Sequence, residues 1–99
     1  VKLKKTRTAR GFALVEFKDR YDNQCSLQKS SLATEDAIWF GIDDAAPKRL
    51  VPGQGWTPVE FPPDTSFQTR MHLTRAQVKK LLPLLQNFVE TGELPQPKR

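Results

Sequence analysis

A single cysteine and a single histidine among 99 residues leave little for conventional catalysis. Cys25 has no partner for an intrachain disulfide, so nothing in the chain asks for an oxidising compartment. A catalytic triad or a zinc site needs more than His72 at defined spacing. Asp43 and Asp44 are adjacent, no carboxylate cluster has the spacing of a calcium loop, and no phosphate-loop or dinucleotide glycine pattern occurs. No apolar run approaches the roughly 20 residues of a membrane span, and no signal-peptide apolar core is present. No segment repeats another. The expectation is therefore a non-enzymatic protein with no catalytic residues, no metal, no cofactor and no membrane contact, working in the cytoplasm.

The charge is distributed unevenly. Net charge is +5, and residues 1–10 hold Lys2, Lys4, Lys5, Arg7 and Arg10 with no acid, so residues 11–99 balance at eleven basic and eleven acidic side chains. The excess is expected in a flexible basic arm, either a solvated terminus or a strip that neutralises phosphates on nucleic acid. Residues 11–94 are expected to form one domain, with a Pro-rich loop at 43–66 and a disordered tail at 95–99.

Within that domain, residues 67–73 alternate as a half-buried strand: Phe67, Met71 and Leu73 face one way, Gln68, Arg70 and His72 the other. Thr74 and Gln77 have capping-box spacing. Val78, Leu81, Leu82, Leu85, Phe88 and Val89 then form one helical face, and Gly92 stands where a left-handed C-cap belongs. Pro83 interrupts on the polar side and either bends this helix or splits it. Residues 11–18 and 24–29 read as a hairpin, with Cys25 and Leu27 opposite Ser26 and Gln28. Residues 37–42 read as a further strand, with Ile38, Phe40 and Ile42 facing a core and Trp39 facing out; a single helical turn capped by Thr34 precedes it or a plain turn does. The fold class expected is α+β: a small antiparallel sheet of three or four strands packed against one C-terminal helix. Trp56, Val59 and Phe61 are expected to pin the Pro-rich loop to the body.

The chemistry follows from the polar face. Ser26 and Gln28, continued by Ser30, Ser31 and Thr34, converge with Gln68, Arg70 and His72 if these strands are neighbours, and Trp39 stands beside them. A guanidinium offers forked donors for phosphate, hydroxyls add more, and an indole offers a stacking plane. The bland alternative is the ordinary solvated face of a one-layer sheet. Cys25 and His72 would make a thiolate–imidazolium pair only if Cys25 left the core side it shares with Leu27. Tyr21, Trp39 and Trp56, if exposed, could anchor a partner or a homo-oligomer.

Arg10-Gly11-Phe12, residues 25–39 (CSLQKSSLATEDAIW), Met71-His72-Leu73-Thr74 and Thr91-Gly92-Glu93-Leu94 together resemble a group of small tailed-phage and prophage accessory proteins. The resemblance covers both ends of the domain and omits the Pro-rich loop. It supplies no catalytic or binding residues to transfer. It implies a protein acting stoichiometrically in an infected bacterium's cytoplasm, as an anti-defence or host-takeover factor that binds a nucleotide-derived signal or a host protein. The ligand-binding residues expected are Ser26, Gln28, Ser30, Ser31, Thr34, Trp39, Arg70 and His72. The alternative is nucleic-acid binding through Lys2, Lys4, Lys5, Arg7 and Arg10.

Overall fold

The computed structural model describes residues 2–97. Its elements run β1 (Lys4–Arg7), β2 (Ala13–Lys18), β3 (Gln24–Lys29), β4 (Ala37–Ile42), β5 (Lys48–Val51), β6 (Gly55–Pro58), β7 (Arg70–Thr74) and α1 (Arg75–Thr91). The class is α+β, with an antiparallel sheet of order β1-β2-β3-β4-β7, a separate β5-β6 ribbon and the C-terminal helix. The large sheet thus has five strands rather than three or four.

The additional strand comes from the stretch expected to be a flexible arm. Lys4, Lys5, Thr6 and Arg7 pair with Glu16, Val15, Leu14 and Ala13. The β1–β2 turn is closed by the Thr8 hydroxyl, which accepts from the Phe12 N–H at 3.0 Å, and by Gly11 at φ 87°. Charged side chains suit such an edge strand, because they keep its open side from pairing with another chain.

Registers carry each face across the sheet. Val15, Leu27, Phe40 and Met71 align on one face, as do Phe17, Cys25 and Ile42, and Phe17 lies 6.2 Å from Phe40, ring centre to ring centre. Ile38 and Leu73 extend the same apolar face. On the other face lie Leu14, Gln28, Trp39 and His72, then Glu16, Ser26, Gly41 and Arg70. Gly41 lets β7 approach β4: at φ 148°, a Cβ there would stand 2.8 Å from the Thr69 carbonyl oxygen and 3.1 Å from the Arg70 Cα.

The helix has the ends its sequence predicts. Thr74 accepts from the Gln77 N–H at 3.2 Å while the Gln77 side chain accepts from the Thr74 N–H at 2.9 Å, and Gly92 closes the other end at φ 76°. Pro83 lies within one helix and does not split it. The expected packing of this helix over the sheet is absent. Thr74 ends β7 and caps α1 at once, leaving no connecting residues to turn the helix back, so α1 touches the sheet chiefly at β7 and buries none of its residues. Among the described residues the only buried apolar side chains are Cys25 and Ala37. The radius of gyration is 17.1 Å, against about 13 Å for a compact chain of this length.

Residues 43–66 are more regular than their prolines suggest. Lys48–Val51 and Gly55–Pro58 pair antiparallel, joined through a turn in which the Gln54 N–H donates to the Val51 carbonyl. Phe61 packs edge-on against Phe67 at 4.8 Å. Trp56, expected to pin this region, is exposed. The segment before β4 forms bends rather than a helical turn, and 95–97 carry no regular structure. The disorder expected of Lys98 and Arg99 lies outside the described residues, and no described helix is long and apolar enough to cross a membrane.

Candidate functional site

The order β3-β4-β7 brings together side chains separated by more than 40 positions. Arg70 Nη1 donates to Gln28 Oε1 at 2.9 Å and to Ser26 Oγ at 3.4 Å. Its guanidinium carbon lies 5.5 Å from the Trp39 ring centre. His72 Nε2 is 2.9 Å from Ser30 Oγ, with the tautomer setting which group donates. The His72 ring stacks on Trp39 at 3.9 Å and 6°. One face of Trp39 is therefore already covered, so the indole is less open a stacking plane than its outward position alone implied. Ser30 also accepts from the Leu32 N–H at 3.1 Å, which fixes the turn leaving β3.

Ser26, Gln28, Ser30, Trp39, Arg70 and His72 thus form one connected polar patch. Ser31 and Thr34 do not join it; both are exposed in the β3–β4 connection. Gln68 lines the neighbouring depression instead. The cations of the N-terminal stretch are divided between the two faces of the sheet. Lys4 and Lys5 stand on opposite faces of β1, Arg7 donates to the Gly11 carbonyl at 3.1 Å, and Arg10 lies over Phe12 at 5.7 Å. Lys2 and Lys4 share a hollow with Glu16 and Lys18.

Two acids belong to the site that the alternation of β3 and β7 did not reveal. Asp43 accepts a short hydrogen bond from the Ser26 hydroxyl, and Glu16 is the β2 partner of Ser26. Glu16, Ser26, Gln28, Asp43 and Arg70 line a depression of about 200 Å³. A second, of about 250 Å³, runs from Asp43 and Arg70 to Trp39, Phe67 and Gln68. Arg70 and Asp43 border both, so the two form one shallow trough. Thr69 secures its rim by donating to the Ile42 carbonyl at 2.5 Å. Register was the signal for Glu16: once β2 pairs with β3, Glu16 must stand beside Ser26.

The trough carries one guanidinium and two carboxylates. Arg70 forms no salt bridge among the described residues, which leaves donors facing the trough. A bare polyanion would meet repulsion from Glu16 and Asp43. A molecule with both an anionic group and hydroxyl or amino donors would satisfy all three.

Cys25 and His72 lie on opposite faces of the sheet, so they do not pair. The Cys25 thiol donates to the Asn23 carbonyl at 3.4 Å, and burial, followed by the nearby Asp19 charge, pushes its pKa up, away from reactive thiolate. Among the described residues no three His, Cys, Asp or Glu side chains gather as a metal site would require. A scan of protein-family models, a search of curated proteins and a search of solved structures each return no match.

Proposed function

We propose that the protein is a stoichiometric, non-enzymatic binding protein that holds a nucleotide-derived ligand on the polar face of the five-stranded sheet. The setting suggested by the motif resemblance is phage anti-defence or host takeover. The observation that carries the ligand reading is the trough in which Arg70, in no salt bridge among the described residues, sits between Trp39 and the acids Glu16 and Asp43. Phosphate lies against Arg70; ribose hydroxyls or base amino groups donate to Asp43 and Glu16; the base lies toward Trp39 and Phe67. Each depression alone is below the roughly 300 Å³ of an ordinary small-molecule site, which favours an elongated ligand lying across both.

The test is calorimetric titration with a panel of linear and cyclic ribonucleotides. At least one should bind the wild-type chain, and Arg70→Ala should weaken it at least tenfold while shifting the unfolding midpoint little. Arg70→Lys should recover only part of the affinity, because a point charge replaces a fork. Unchanged affinity in Arg70→Ala would end this reading. So would destabilisation by that variant with no ribonucleotide bound by the wild type.

A further inference from the structure

The unpaired apolar surface points to a second copy of this chain, independently of what the trough binds. Among the described residues no helix or ribbon packs over the apolar sheet face centred on Leu27, Phe40 and Met71; Leu27 and Phe40 are half-buried and Met71 is 53% exposed. The α1 stripe of Leu81, Leu82, Leu85, Phe88 and Val89 is likewise uncovered, with Phe88 54% and Val89 76% exposed. Between them, where α1 leaves β7, Ile38, Leu73, Val78 and Leu82 border an open, mostly apolar groove of about 660 Å³ that Lys29, Asp36, Arg75 and Lys79 also line. The chain exposes 8896 Å², whereas a folded monomer of its mass exposes about 5,700 Å². The excess, about 3,200 Å², is on the scale of an obligate homodimer interface, which takes about 1,000–2,500 Å² from each partner. The projecting ribbon and helix contribute to the remainder.

We infer that two copies associate symmetrically, each laying its α1 stripe across the apolar sheet face of the other. Dimensions match within one chain: the α1 stripe from Leu81 to Val89 spans about 12 Å, and the four strands that carry the apolar face, β2, β3, β4 and β7, span about 14 Å between the axes of the outer two, with Lys5 and Arg7 of β1 at its border. A chain carrying both an uncovered helix stripe and an uncovered sheet face of matching span is self-complementary, and a twofold axis satisfies both at once. The layer that the chain cannot build for itself, because Thr74 sends α1 away from its own sheet, is then supplied by the partner.

Sedimentation equilibrium of the full chain at micromolar concentration should give twice its 11.3 kDa mass, or an even multiple. A folded species at 11.3 kDa would overturn the inference. A charge placed in the stripe risks unfolding a chain that folds only as a dimer, so the second measurement is a cross-link. With Cys25→Ala in every chain, isotopically heavy Phe88→Cys protein is unfolded, refolded with light Phe40→Cys protein, and oxidised. The expected product joins one heavy to one light chain through positions 88 and 40. Products joined only 88 to 88 or 40 to 40, or an intrachain bridge in the double variant Phe40→Cys/Phe88→Cys, would refute the arrangement.

Discussion

Gly41→Ala is expected to damage stability and binding together. The added Cβ would lie 2.8 Å from the Thr69 carbonyl oxygen and 3.1 Å from the Arg70 Cα, both short of ordinary contact, and both neighbours are backbone. No side-chain rotation relieves this, so β7 must move away from β4 or the strand must twist. Backbone strain at φ 148° together with overpacking should cost about 2–4 kcal/mol, a large fraction of a small domain's stability. Gly11→Ala supplies the reference. Gly11 also has positive φ, at 87°, but nothing lies within 4 Å of its would-be Cβ, so only the conformational cost of about 1 kcal/mol applies. Urea unfolding followed by tryptophan fluorescence, at constant protein concentration and with slopes compared, measures the difference. Arg70 is the register partner of Gly41, so ligand affinity should fall in Gly41→Ala and persist in Gly11→Ala. Equal costs for the two variants would refute the claim that close strand approach positions Arg70.

Two further outcomes follow from the start of α1. Thr74→Ala removes the acceptor for the Gln77 N–H and should cost about 1 kcal/mol of stability, read from the same unfolding curves; no change would mean that water replaces the cap. The Asp36 carboxylate is hydrogen-bonded to Lys29 at 3.1 Å, feels that charge, and lies 3.5 Å from Arg75, which together hold its pKa below the usual 3.8. A depressed folded pKa favours the folded state above the unfolded pKa and loses that contribution as pH falls through the folded one. Carboxyl NMR should therefore find the Asp36 midpoint below 3.8 in the wild type and higher in Lys29→Met; the same midpoint in both would discard the pairing.

The elements that could be read from the sequence were those set by local rules. Thr74 and Gln77 mark a cap wherever the chain goes next, and Gly92 marks its end. Alternation in residues 24–29 and 37–42 placed Ser26 and Gln28 opposite Cys25 and Leu27, and Trp39 opposite Phe40. What local pattern cannot carry is the identity of the covering layer. The α1 stripe says that something apolar lies against it, not that its own sheet does, and the absence of a connection after Thr74 decides the matter. The basic N-terminal stretch misled for a related reason: its charge suggested an arm, but an edge strand tolerates alternating cations as readily as solvent does. In the site, alternation found Arg70, His72 and the serines. Glu16 and Asp43 required register and the path of the chain after β4, and Ser31 and Thr34 were drawn in only as the continuation of the chain from Ser30.

The central claim is that ligand binds across Arg70 on the polar face. The most direct measurement is a two-dimensional NMR titration with the ribonucleotide panel, watching the Trp39 indole N–H and the Arg70 side-chain N–H. The account predicts that a binding nucleotide shifts both, together with amides of Ser26 and Asp43, and leaves those of the α1 residues 81–89 in place. Shifts confined to the apolar face or to α1, or a bound nucleotide that leaves Arg70 unmoved, would contradict it.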